Sequence, residues 1–203
     1  MTTPGLLRPL LADHAGADVL GRLRARLVDQ AAADDLLDVA YRTLDTPLGA
    51  LLLAATPLGL VRVAYLDVSA DDKVLGELAE KLSPRILHAP GRLDLAARQI
   101  EQYVTRRRRS FDLPLDFRLA RGFRRSVLDH LCAIDYGTTV SYATVAAAAG
   151  SPKAVRATGS ACATNPLPVV VPCHRVVRSD GTLGGYAGGL DVKRMLLDLE
   201  ASR

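Results

Sequence analysis

Cys173 and His174 are neighbours within the run Val169-Val170-Val171-Pro172-Cys173-His174-Arg175-Val176-Val177. A cysteine sulfur attacks only as thiolate, so a base or a positive field must act on it. His174 is the nearest candidate base. Adjacent residues on a regular strand point to opposite faces, so pairing the two needs a bend or an intervening water. Three valines before Pro172 and two after Arg175 predict short buried strands that meet at such a bend. Taken alone, the dipeptide also fits a buried structural cysteine beside a surface histidine. The pattern differs from that of cysteine hydrolases, whose histidine comes from elsewhere in the chain.

A wider pattern surrounds this pair. Upstream stand Tyr136-Gly137, Ser141-Tyr142, Pro152-Lys153-Ala154, Arg156-Ala157, Asn165-Pro166 and Pro168. Downstream stand Gly181, Gly184-Gly185-Tyr186-Ala187-Gly188-Gly189-Leu190, Lys193, Leu196-Leu197 and Glu200. This pattern resembles the active-site signature of the O6-alkylguanine-DNA alkyltransferases, the methylated-DNA–protein-cysteine methyltransferases. The likeness is dense over residues 117–203, loose over 38–116 and absent over 1–36. Ala187 stands where some members carry serine, and Cys162 where some place methionine. The resemblance implies DNA repair by direct, irreversible transfer of an alkyl group from O6-alkylguanine, and from O4-alkylthymine, to Cys173, once per molecule. The alternative on the same scaffold is a non-enzymatic protein that binds alkyl lesions and flags them for another pathway. Such proteins lack the acceptor cysteine.

The reaction explains why the family needs these residues. The O6 atom lies on the pairing edge of a stacked base, so the base must leave the helix to meet a nucleophile. The resemblance implies that Cys173 attacks, that His174 removes its proton through a water, and that Glu200 orients the imidazole. Asn165 is implied to hold the turn that joins the recognition helix to the active-site strand. Tyr142, Tyr186, Ala187, Val176 and Cys162 are implied to form the base pocket. In it, the Ala187 N–H faces O6, and the carbonyls of Cys173 and Val176 accept from the exocyclic amine. Donors there stabilise the negative charge that develops on the leaving base. Arg156 is implied to fill the gap in the stack, and Tyr142 to crowd the 3′ phosphate. Arg124, Ala143, Ser151, Ala154, Ala157 and Ser179 complete the implied DNA contacts. Read without the resemblance, Tyr142 is a packing aromatic and Arg156 a solvated helix residue.

The partner implied is double-stranded DNA, entered through the minor groove with little sequence specificity, with single-stranded DNA as a further substrate. A monomer that clusters on DNA is expected, with no cofactor, no metal and no membrane. Charge agrees in sign: the net charge of +4 divides into +5 from Phe117 onward and −1 before it. A polyanion partner for the second half follows. The three cysteines, Cys132, Cys162 and Cys173, show no metal-ligand spacing and fit a reducing compartment. No secretory signal is visible and the most apolar stretch is broken by Pro57 and Arg62, so a cytoplasmic location is expected.

Elements must position these groups. The fold expected is an α/β N-terminal domain, ribonuclease-H-like by resemblance, followed by a mostly α C-terminal domain with a winged-helix-like helix-turn-helix. The division expected is an extension over 1–36, the α/β domain over 37–113 and the DNA-binding and active-site domain over 114–203. After a loose stretch holding Pro4, Gly5 and Pro9, Leu20, Leu23, Leu27, Ala31 and Leu36 predict an amphipathic helix from about residue 18. It serves either as a covering helix or as a functional arm. Thr46-Pro47-Leu48-Gly49 recurs as Thr56-Pro57-Leu58-Gly59 between apolar runs, which predicts a three-stranded meander. Helices are expected at 71–82, 93–105 and 117–135, the last with Cys132 in its core face and stopped by Tyr136-Gly137. Arg106, Arg107, Arg108 and Arg109 read either as a solvated helix end or as a contact to phosphate or to a neighbouring molecule. Ser141 is expected to cap a helix over 142–149, and Ser151 with Pro152 to open a second one. That second helix has small side chains, which suit close helix packing or close approach to a minor groove. The glycine-rich run at 184–189 reads as a loop whose backbone approaches a ligand.

Overall fold

The repeated Thr-Pro-Leu-Gly turns set up the first sheet. The computed structural model describes residues 8–66 and 71–201. Strands β1 (Val39–Thr46), β2 (Gly49–Thr56) and β3 (Gly59–Tyr65) form the expected antiparallel meander. In each turn the threonine hydroxyl accepts from the amide two residues on, Leu48 N–H at 3.1 Å and Leu58 N–H at 3.2 Å. Helix α2 (Asp71–Lys81) then leads to β4 (Ile86–His88), which pairs parallel with β1 and gives the order β3-β2-β1-β4. This fourth strand is too short to show alternation in the sequence. The two-residue period divides the sheet, and the irregular register of β2 and β3 at Ala54/Ala55 puts Val61 and Val63 in different clusters. Leu51, Leu53 and Val63 lie in one cluster with Ala96, Ala97 and Ile100 of α3 (Asp94–Val104). Leu52, Val61 and Ala64 lie in another with Val74 and Leu78 of α2.

The second half is helical: α4 (Phe123–Cys132), α5 (Tyr142–Ala148), α6 (Val155–Ala163) and α7 (Gly189–Ala201). Two short strands, β5 (Val140–Ser141) and β6 (Val176–Val177), pair in parallel between them. The halves join along the outer edge of β3. Leu60 N–H donates to Pro114 O at 2.8 Å, Asp116 N–H to Leu60 O at 2.9 Å, and Val63 N–H to Pro166 O at 2.8 Å. A sheet edge with open donors is thereby covered by the chain that builds the site. Gly59 is required at this seam, because a Cβ there would lie 2.3 Å from Pro114 O.

Several local expectations are corrected. Helix α1 (Arg8–Ala33) is already formed at Arg8, with Pro9 in its first turn, where a missing N–H breaks no helical bond. Its Leu20, Leu23 and Leu27 are exposed, and Val28, Ala31 and Ala32 near its end pack on the core. Leu36 falls beyond the helix and is exposed. The loose stretch expected at Pro4 and Gly5 lies outside the described residues. Helix α4 begins at Phe123, not 117, because the Asp116 side chain takes Arg118 N–H at 3.0 Å and Gly122 adopts φ 56°. Cys132 is the last residue of α4 and is exposed rather than part of the core. Ser141 caps α5 as expected, accepting from Thr144 N–H at 3.0 Å. Ser151 does not cap α6. Its N–H closes the end of α5 on Ala146 O and its carbonyl closes a turn on Ala154 N–H, so α6 starts at Val155.

Candidate active site

The valine run before Pro172 is a buried turn, not a strand. Val169 holds a left-handed φ of 73°, and Val171 N–H donates to Leu167 O at 2.8 Å. A continuous apolar run signals burial without fixing conformation, which is why the sequence misleads here. Asn165 fastens the turn: its Oδ1 accepts from Leu167 N–H at 3.0 Å and its Nδ2 donates to Val171 O at 2.9 Å. The same Nδ2 lies 3.2 Å from the Cys173 sulfur. Cys173, His174 and Arg175 then form one 3-10 turn leading into β6. The bend expected at this point is therefore helical; the Cys173 sulfur meets the Asn165 amide and the His174 ring meets Glu200.

Cys173 is 2% exposed and His174 is fully buried. Burial pushes the Cys173 thiol up to about 11, against the opposite pull of the Asn165 amide and the Lys193 ammonium. The resting sulfur is thus a neutral thiol at neutral pH. His174 Nε2 lies 2.7 Å from Glu200 Oε1. Burial lowers the His174 pKa, with Glu200 pulling the other way, and the resting ring is neutral. A neutral imidazole facing a carboxylate donates, so Nε2 carries the proton and Nδ1 keeps a lone pair. Nδ1 is buried and has no hydrogen-bond partner among the described residues.

Glu200 is near the end of α7 and has more partners than the sequence suggests. Arg175 Nε donates to Oε2 at 3.0 Å and its Nη2 to Oε1 at 3.1 Å. Gly137 N–H donates to Oε2 at 2.9 Å, and the Tyr103 hydroxyl donates to Oε1. Burial would raise the Glu200 pKa, but the bonds from His174, Arg175 and Tyr103 hold it down at about 2. Arg175 also places its guanidinium over the Tyr136 ring, 5.7 Å from the centroid. Tyr136 and Gly137, part of the matched pattern and expected to stop a helix, also serve the Glu200 cluster. Tyr103 comes from α3 in the other half, and its spacing marks it as an ordinary core residue. Lys193, also fully buried, donates to Val176 O at 2.6 Å and Gly184 O at 3.3 Å. It belongs to the matched pattern, yet its pinning of β6 to the glycine-rich loop is visible only in the fold.

The other expected residues fall into two groups. Tyr142, Tyr186 and Cys162 are half-buried or buried near Cys173, whose sulfur contributes to the upward shifts of all three groups after burial itself. The Cys173 carbonyl accepts from Val176 N–H, and the Val176 carbonyl accepts from Lys193 Nζ at 2.6 Å. Ala187 is exposed and lines a cleft of about 980 Å³ with Asn165, Pro168, Gly188, Tyr65 and Arg124. Arg124 donates to Thr164 Oγ1 at 3.4 Å. Ala143, Arg156, Ala157 and Ser179 are exposed, and Ser151 and Ala154 are half-buried.

Comparison with known proteins agrees with this arrangement. Residues 39–117 match the ribonuclease-like domain of 6-O-methylguanine DNA methyltransferase, and residues 122–202 match its DNA binding domain. The methylated-DNA–protein-cysteine methyltransferase of Methanosarcina barkeri is 39% identical over 160 residues, covering 79% of this chain and 96% of that protein. The crystal structure of Mycobacterium tuberculosis O6-methylguanine methyltransferase superposes with a TM-score of 0.70 at 37% identity, covering 81% of this chain and 94% of that one. A structure of the M. tuberculosis OGT in complex with DNA gives a TM-score of 0.68 at 37% identity, over 80% of this chain and 93% of that one. The class defined is a two-part protein with an α/β sheet domain and a helical DNA-binding domain. Within that class, the chain belongs to the 6-O-methylguanine DNA methyltransferase family.

Proposed function

We propose that this protein repairs DNA by taking the alkyl group of O6-alkylguanine onto its own Cys173, as a methylated-DNA–protein-cysteine methyltransferase. One observation carries the assignment of the acceptor. Cys173 is buried against the Asn165 amide and precedes a histidine whose Nε2 is committed to Glu200, leaving Nδ1 as the basic nitrogen. His174 takes the thiol proton through one water, and Glu200 with Arg175 balances the imidazolium that results. The thiolate attacks the alkyl carbon, the S–C bond forms, and the C–O6 bond breaks with its electrons passing to guanine, which takes up one proton. Donors from Tyr186 and the Ala187 amide stabilise the leaving base. The thioether is stable, so each molecule acts once. O4-alkylthymine reacts by the same displacement.

The DNA side of the reading places α5 and α6 as a helix-turn-helix on double-stranded DNA. The small side chains of Ala157 and Ala154 suit a narrow minor groove. Arg156 enters the stack and Tyr142 faces the phosphate of the flipped nucleotide, with Arg124, Ala143, Ser151 and Ser179 alongside. Single-stranded DNA is a further substrate. The protein works as a monomer that clusters on DNA, in the cytoplasm. The sheet domain is read as ribonuclease-H-like over 37–113, and residues 114–203 as a winged-helix-like domain.

The experiment is intact and peptide mass spectrometry after mixing the protein with duplex DNA that carries one O6-methylguanine. One methyl per protein, mapped to Cys173, with guanine restored, is expected. Cys173→Ala should bind the duplex and gain no mass. Lesion binding by the natural protein without mass gain would replace this reading with that of a lesion sensor.

A further inference from the structure

The glycine-rich loop is clamped by a tyrosine ring at each end. A Cβ on Gly184 would lie 2.2 Å from the Tyr142 hydroxyl oxygen, and a Cβ on Gly188 would lie 2.8 Å from Cε2 and Cζ of Tyr65. Tyr142 already belongs to the proposed site. Tyr65 comes from the other half of the molecule, as the last residue of β3. Its ring meets Tyr186 edge-on, with centroids 5.8 Å apart and planes at 68°. The two hydroxyl oxygens are 3.1 Å apart. Tyr65 also lines the cleft shared by Ala187, Gly188 and Asn165. Its place is fixed two residues earlier, where Val63 N–H bonds Pro166 O in the turn that Asn165 organises.

We infer that Tyr65 is a positioning residue for alkyl transfer: its hydroxyl donates to the Tyr186 oxygen and leaves the single hydroxyl proton of Tyr186 for the flipped base. The inference rests on the alkyltransferase reading and on Tyr186 as a base contact. A phenol carries one donor proton and also accepts. Two facing phenols share one proton between them, so a Tyr186 that donated to Tyr65 would have none for the base. With Tyr65 as donor, the bonds run in one direction, and each polarises the next. Burial raises the pKa of both phenols, so both carry their protons at neutral pH. Charge grows on guanine as the C–O6 bond breaks, so a strengthened donor acts most in the transition state. The effect therefore falls on the rate of transfer and not on DNA affinity.

Tyr65→Phe tests this, since it keeps the ring over Gly188 and removes only the hydroxyl. Methyl transfer from a duplex with O6-methylguanine should slow about fivefold at saturating DNA, the loss of one hydrogen bond. The Kd for the duplex should stay unchanged, and free O6-methylguanine should show the same fall in rate. In a Tyr186→Phe background, Tyr65→Phe should cost nothing more, because the bond it serves is already gone. A natural saturating rate in Tyr65→Phe overturns the inference, as does weakened DNA binding with an unchanged rate. A full further loss on top of Tyr186→Phe also overturns it, because that would mark Tyr65 as acting through packing. The natural protein is the control: if it gains no methyl from the duplex, the alkyltransferase reading itself fails.

Discussion

Glu200 is a buried anion that meets Tyr103, Gly137, His174 and Arg175, and its fate with pH follows from those contacts. Its pKa is about 2 in the folded protein against 4.5 as a free side chain. A depressed carboxyl contributes stability that is present above 4.5 and lost as pH falls toward 2. Thermal unfolding against pH should therefore steepen below 4.5 in the natural protein and flatten in Glu200→Gln. At neutral pH the same substitution leaves Arg175 buried without its counter-ion, at a cost of about 3 kcal/mol or more. Equal slopes for the two proteins would show that Glu200 is not held as an anion. Arg156 behaves in the opposite way, being exposed on α6. Arg156→Ala should change stability by less than about 0.5 kcal/mol. Transfer from duplex DNA should fall by about tenfold or more, since the gap left by the flipped base is no longer filled. Its rate with free O6-methylguanine should stay natural, and a parallel loss there would remove Arg156 from the DNA-binding group.

At the scale of elements, the turn from Asn165 to Cys173 joins α6 to the Cys173 sulfur. A β-branched residue with left-handed φ, Val169, persists only where its surroundings hold it. Asn165 supplies that hold through Leu167 N–H and Val171 O. Asn165→Ala should cost about 2–3 kcal/mol, because it leaves buried backbone groups unpaired. Asn165→Asp restores the acceptor for Leu167 N–H but places a negative charge where the amide faced the sulfur. It should recover part of the stability and transfer more slowly than Asn165→Ala, as followed by melting and by single-turnover rates. A faster Asn165→Asp would mean that the amide does not support the thiolate.

At the scale of the whole molecule, the two halves are parts of one site. The sheet edge at Val63 bonds the loop at Pro166, and Tyr103 from α3 reaches Glu200 from the other side. The segment 114–203 alone should lose both supports. Expressed by itself, it should fail to take a methyl from duplex DNA and should expose Cys173 to thiol reagents that the full chain resists. Transfer at the natural rate by that segment would confine the sheet domain to a scaffold. No helix among the described residues is long and apolar enough to cross a membrane.

The sequence by itself determined the chemistry and most of the element order. Cys173, His174, Asn165 and Glu200 were legible because their types and order match a long pattern, and the meander because its turns repeat. Tertiary structure alone decided how those residues are held. Tyr65 and Tyr103 carry no local signal, since a tyrosine on a strand or helix face reads as packing until its hydroxyl is seen against Tyr186 or Glu200. The turn at Val169 reads as a strand in the sequence because an apolar run reports burial, whereas the Asn165 side chain fixes the conformation. Helix α4 starts late because a side-chain bond from Asp116 and the φ of Gly122 displace the helix start, and Cys132 lies at its end beyond the buried Val127, Leu128 and Leu131. Contacts between residues distant in sequence depend on geometry that no spacing along the chain encodes, and the partners of Glu200 are of that kind.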